Sequence, residues 1–261
     1  MRVLAAIAVL GLVPPLEAQM PWTIHLPQRG AAIDILRPKF QGGGTSLTSV
    51  AVYPSGRVPL GVTSSLRFEL PFALLTSSGT SSSTIGNPYI GVEDGHETGL
   101  AFEGGLRGPL TSETEYPAAQ LGAYSDITRF EAFLPNTVVL SARARYRVSD
   151  TSGFMFDAGG GPSGWIPTKG GGQAEVVLHH HMSAGYRGPG TWVAIGFGGW
   201  TIITHGTGGV ARRTINQVGG SIGFNSGQVR PAVHVIAPLD DGYGSLVGVV
   251  VGFGVAIVAK Q

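Results

Sequence analysis

Across Asn136–Ser149 (NTVVLSARARYRVS) side chains sort by alternate positions. Val138, Leu140, Ala142, Ala144, Tyr146 and Val148 fall on one face. Thr137, Ser141, Arg143, Arg145, Arg147 and Ser149 fall on the other, which only Val139 interrupts. Alternation with period two predicts a strand with one greasy and one charged side. The stretch is too long for an ordinary sandwich strand and has about the length that crosses a bilayer in a barrel.

The pattern recurs along the chain. Val62, Leu66, Phe68, Leu70, Phe72 and Leu74 oppose Thr63, Ser65, Arg67 and Glu69, and this strand ends in the Ser/Thr/Gly tract Thr76–Thr84. Ile85–Glu93 follows, closed by the turn signal Asp94-Gly95. Leu100, Phe102 and Leu106 then alternate with Ala101, Glu103 and Arg107. Gln173–Arg187 sets Ala174, Val176, Leu178, Met182, Ala184 and Tyr186 against Gln173, Glu175, His179, His181, Ser183 and Arg187. Gly153–Trp165, Thr191–Thr204, Arg213–Asn225, a stretch around Val229–Val235 and Leu246–Ala259 supply further strands; Thr191–Thr204 is apolar on both faces. Residues 20–60 are less regular. Pro21, Pro27 and Pro38 interrupt short candidates at Ile24–Leu26 and Ala32–Phe40, and Ser46–Tyr53 is closed by Pro54-Ser55-Gly56.

Gly108–Pro135 breaks the alternation. Leu121, Tyr124, Ile127 and Phe130 recur at helical spacing, which predicts a short amphipathic helix in a long connection. The simplest expectation packs this helix on the rim of the fold; whether the segment enters a pore is left open.

About ten to twelve sequential strands joined by short turns point to an antiparallel meander. A soluble sandwich would bury the apolar faces; a membrane barrel turns them outward. The strand lengths favour the second: an all-β, antiparallel up-and-down transmembrane β-barrel of about twelve strands, with a short helix in one long loop. Phe72, Tyr146, Trp165, Tyr186 and Trp192 lie near strand ends, where aromatic side chains form interfacial girdles.

Composition narrows the class. Gly is 42 of 261 residues without a G-X-Y period, which excludes collagen. Charged residues are only 13% and apolar ones 43%, which argues against disorder. A net charge of +1 provides no field for nucleic acid. Met1-Arg2, the apolar run Val3–Val13 and Leu16-Glu17-Ala18 read as a cleaved export signal over residues 1–18, with one barrel domain over 19–261 in an outer membrane. The chain has no Cys, so thiolate chemistry is excluded.

The remaining polar groups define a lumen. The expected lining is Arg67, Glu69, Glu103, Arg143, Arg145, Arg147, Glu175, His179 and His181. The arginines of Asn136–Ser149 lie about 6.7 Å apart along one face. Paired with Glu69, Glu103, Asp157 or Glu175 they reinforce a wall; unpaired, they line an anion-attracting pore. His179 and His181 share a strand face, but the expected assignment is a polar lumen rather than a metal site. Ser183, His181 and Asp157 offer nucleophile, base and orienter, yet no G-x-S-x-G elbow accompanies them, so no enzyme is expected. The runs Gly42–Gly44, Gly159–Gly161 and Gly170–Gly172 lack the Lys-Ser/Thr of a phosphate loop and are read as turns. Nothing calls for a cofactor. The partners expected are membrane lipids and a small-molecule solute.

Three stretches carry a family resemblance: RFELPFAL (Arg67–Leu74), GNPYIGVE (Gly86–Glu93) and RPAVHVIAPLDD (Arg230–Asp241) leading into a Gly/Val strand. Together they resemble the bacterial outer-membrane barrels grouped as MetA-pathway phenol-degradation, or transporter-like, proteins. That resemblance implies a roughly twelve-stranded barrel that admits small hydrophobic compounds. The alternative to solute passage is a non-transporting structural or interaction barrel with a filled lumen. A lipid-modifying membrane enzyme is a more distant third.

Overall fold

A computed structural model describes residues 29–41, 47–77, 79–96, 98–204, 213–225 and 227–258. The expected export signal and Gly42–Gly44 lie outside them. The strands are β1 (Gly30–Phe40), β2 (Thr48–Pro59), β3 (Ser64–Glu69), β4 (Phe72–Ser77), β5 (Thr80–Ile85), β6 (Tyr89–Gly95) and β7 (Gly99–Arg107). After the long connection come β8 (Thr137–Ser149), β9 (Phe154–Pro167), β10 (Glu175–Arg187), β11 (Thr191–Ile202), β12 (Thr214–Phe224), β13 (Val229–Pro238) and β14 (Val247–Val258). Helices are few: α1 (Tyr116–Ala123), α2 (Asp241–Gly244) and 3-10 turns at Glu113–Glu115 and Ile127–Phe133.

All strands join one antiparallel sheet that closes, because β1 pairs with both β14 and β2. β3 and β4 form one stave broken at Leu70-Pro71, and β5 and β6 form another broken at 86–88, so the closed barrel has twelve staves. Closure satisfies every sheet edge, as lipid requires.

The two faces separate as the alternation predicts. Leu140, Tyr146, Phe102, Ile195 and Phe253 point outward and are exposed. Arg147, on the opposite face of β8, is 1% exposed. A band of exposed apolar side chains around a charged interior is the arrangement of a membrane-spanning barrel. Connections at one end are short (60–63, 96–98, 150–153, 188–190, 225–228). The other end carries 41–47, 108–136, 168–174, 203–213 and 239–246. In bacterial barrels short turns face the periplasm and long loops the outside, so these are called here the inner and outer ends.

Several expectations change. β2 runs through Pro54 to Pro59 instead of stopping at Tyr53. Pro54 lies opposite the break at Leu70-Pro71, and its carbonyl accepts from Leu70 N, so its missing donor falls where the neighbouring stave is already interrupted. The Ser/Thr/Gly tract, expected to end a strand, itself supplies most of β5. Gly159–Gly161 lies inside β9, not in a turn. A Cβ at Gly160 would sit 2.2 Å from the His179 carbonyl and one at Gly159 2.6 Å from the Ala144 carbonyl, so β8, β9 and β10 approach too closely for larger residues. Trp165 is not in a girdle: it faces inward and is 8% exposed. Trp192 shares the inward register of Trp200 and covers Gly223.

Candidate functional site

The inward faces of β7–β10 form a lattice of cross-strand rungs. At the inner end Gly99 pairs with Arg147, Arg147 with Asp157 and Asp157 with Ser183. The next rung is Ala101, Arg145, Gly159, His181. Further out, Glu103 opposes Arg143 and Gly161 opposes His179. Then the chemistry changes: Arg107 opposes Val139, Val139 opposes Trp165, and Trp165 opposes Glu175. Val139, the one apolar interruption of the charged face, marks the boundary.

What lies against the apolar rungs is the long connection itself. Residues 108–135 fold into the outer half of the lumen, not onto the rim. Ile127 and Phe133 are fully buried in one cluster with Leu36, Tyr53, Val139, Trp165, Val177, Trp200 and Ile236. Phe130 packs on Trp165 and Trp200 at ring-centroid distances of 5.9 and 5.5 Å. These apolar side chains point inward, against the usual barrel rule, because a second apolar surface meets them there. The doubly apolar character of Thr191–Thr204 has the same cause: one face meets lipid, the other the inserted segment.

Polar groups fix the insertion. Gln217 donates to Asp126 Oδ1 (2.7 Å) and accepts from Ile127 N (3.1 Å). Trp200 Nε1 donates to the Ile127 carbonyl (3.1 Å), and Asn87 Nδ2 to the Leu134 carbonyl (2.7 Å). Arg129 stacks over Tyr53, 4.1 Å from its centroid, and pairs with Asp34 (2.8 Å) and Asp126 (3.0 Å). Glu131 accepts from Trp165 Nε1 (2.7 Å) and from Ser163, meets His179 Nε2 (2.7 Å), and lies 3.3 Å from Arg143. Burial alone would raise the Glu131 carboxyl pKa. His179, Arg143 and Ser163 together outweigh it and hold the group well below the ordinary carboxylate range.

Inward of the inserted segment the lumen keeps a cavity of about 200 Å³. Arg67, Glu69, Glu103, Arg143, Arg145, Arg147, His179 and His181 line it. Glu175 does not; it sits on the outermost rung, where Thr204 donates to it at 2.5 Å. The arginines of β8 are paired, but mostly with residues other than those expected. Arg147 takes Asp157 (3.0 Å). Arg145 reaches over Ala101 to Glu93, with bonds of 2.7 and 3.0 Å. Arg143 takes Glu131 from the inserted segment. Glu103 pairs instead with Arg67 and Tyr89, and Glu69 with Arg107. Glu93 and Glu131 were missed as partners because neither pairing is sequential. Glu93 is two strands away, and Glu131 arrives from a loop.

Among the described residues, Ser, His and acidic side chains come together at three places in the lumen. Asp157 Oδ1 holds His181 Nε2 at 2.8 Å while its other oxygen takes Arg147. Ser163 and Glu131 both converge on the one Nε2 of His179. In Ser221–His234–Asp34 the His-to-acid distance is 3.8 Å, beyond hydrogen-bond reach. A nucleophilic relay needs the base to bridge two groups through its two nitrogens.

No family model matches the sequence, and no curated protein does. Solved structures do match. An outer membrane channel from Pseudomonas putida F1 aligns over 94% of this chain and 100% of its own, with TM-score 0.64 and 14% identity. The fold is that of the outer-membrane barrels. The NanC porin aligns over 87% of this chain and 100% of its own (TM-score 0.55, 8% identity). The translocator domain of the autotransporter NalP from Neisseria meningitidis aligns over 99% and 94% (TM-score 0.55, 9% identity).

Proposed function

We propose that this chain is an outer-membrane channel for a small solute, with its bore set by residues 108–135. The supporting observation is the lumen itself: the inserted segment fills the outer half, and a charged cavity of about 200 Å³ persists inward of it. A barrel used only as a wall gains nothing from burying so many guanidinium groups beside open space, since buried pairs cost about as much desolvation as they return. Kinship with the phenol-degradation barrels belongs to this reading, as does export through a cleaved signal. No catalytic role is assigned to the Ser/His groupings.

Planar-bilayer recording on the purified barrel tests the proposal. Small unitary conductance is expected, rising severalfold when residues 110–134 are replaced by a short Gly/Ser turn. Silence from both proteins, with no solute uptake into vesicles, would reject the channel. That outcome would favour the filled structural barrel.

A further inference from the structure

The cavity has a sign. On β2, β3 and β6–β9 six guanidinium groups line it: Arg57, Arg67, Arg107, Arg143, Arg145 and Arg147. Four carboxylates from the same strands answer them: Glu69, Glu93, Glu103 and Asp157. Glu93 is shared three ways, with Arg57 and Arg145 at 2.7 Å and Arg67 at 3.5 Å. Further out, Asp34 of β1 and Asp126 of the inserted segment are both spent on Arg129, and Glu131 of that segment meets Arg143.

Two of the six arginines combine partial exposure with capacity to spare. Arg143 is about one third exposed (34%), contacts Glu131 through Nη2 alone at 3.3 Å, and has a buried Nε without a hydrogen-bond partner. Arg67 is 36% exposed and uses Nη1 for both of its acids. They flank Glu103, which bonds to Arg67 and lies opposite Arg143 in the β7–β8 register. The wall beside Arg143 is bare, because the inward positions of β9 between Asp157 and Ser163 are Gly159 and Gly161. A guanidinium fork with unused donors beside open, enclosed space matches a planar oxyanion. Low dielectric around it strengthens the attraction.

We propose that the cavity is an anion site with Arg143 and Arg67 as its ligands, and that the solute passed by this barrel carries a carboxylate. The site also rests on the channel reading for its biological use, though not for its chemistry. Butyrate is the probe, with neutral butyramide of the same shape as control.

Isothermal titration of the detergent-solubilised barrel should show butyrate binding at least tenfold tighter than butyramide, as charged hydrogen bonds require. Arg143→Gln should remove about tenfold of the butyrate affinity and leave butyramide unchanged. Arg37→Gln, an exposed outward position on β1, should change neither. In bilayers under a salt gradient, the reversal potential of the unaltered protein should show anions passing in preference to cations. Equal binding of the two probes, or cation preference in the unaltered protein, overturns the site; neither readout needs a variant to fold. Binding without any conductance sustains the site and rejects the channel. Conductance without binding or anion preference does the reverse.

Discussion

The two halves of the lumen use the same strands for different ends. In the outer half, Val139, Trp165, Val177 and Trp200 point inward and pack on Ile127, Phe130 and Phe133. In the inner half the same β8–β10 present Arg143, Arg145, Arg147, Asp157, His179 and His181 around open space. One half is a packed core and the other a charged vestibule. A barrel strand therefore carries two independent patterns: alternation across its width, and a change of inward chemistry along its length. Charged residues hold the halves together, since Glu131 belongs to the inserted segment yet meets Arg143 and His179 of the wall.

If the outer half is a true core, it should respond to cavities. Phe133→Ala, at a site 1% exposed, should lower stability by about 4 kcal/mol, as large-to-small core changes do. Denaturant unfolding followed by tryptophan fluorescence reads this, because Trp165 and Trp200 sit in the same cluster.

The junction should be nearly as sensitive. Glu131→Gln leaves Arg143 and His179 without their anion, and breaking a buried pair costs about 3 kcal/mol. The same unfolding experiment measures it, and single-channel noise should rise as the segment loosens. Acid should mimic the change only under extreme conditions. The folded Glu131 pKa is depressed, so its contribution is complete above the unfolded value, about pH 4.3, and is lost as pH falls through the lower folded value. The tryptophan signal should therefore hold constant from about pH 8 to pH 5 and decline only well below the ordinary carboxylate range.

The vestibule should answer differently. Arg143 is partly exposed, and Ser163, Trp165 and His179 still bond Glu131 without it, so Arg143→Gln should cost about 1 kcal/mol, less than Glu131→Gln, while altering conductance. A loss as large as that of Glu131→Gln would erase the distinction between the halves. The smallest effect is expected outside the lumen. Asp150 caps the β8–β9 turn by accepting from Ser152 Oγ (2.6 Å) and Phe154 N (3.0 Å). Asp150→Ala should shift the melting temperature slightly and leave conductance alone.

Most of the barrel is legible in the sequence, because period-two alternation survives in a single strand and needs no partner to be seen. Asn136–Ser149 announced both its lipid face and its charged face. The proline-bearing first strands were harder, since the break that excuses Pro54 lies on another stave at Leu70-Pro71.

What the sequence determined by itself was which side of most strands meets lipid, and hence a closed membrane barrel. Only the tertiary structure decided what fills it. Helical spacing in Leu121–Phe130 shows that a face is apolar, not whether that face seeks a rim or a lumen. The answer required inward apolar side chains from strands far apart in the chain, gathered at one end. Ion pairing is decided in the same way. Arginine positions are local, but Arg145 reaches Glu93 and Arg143 reaches Glu131 only after closure and insertion bring distant carboxylates within Coulombic range.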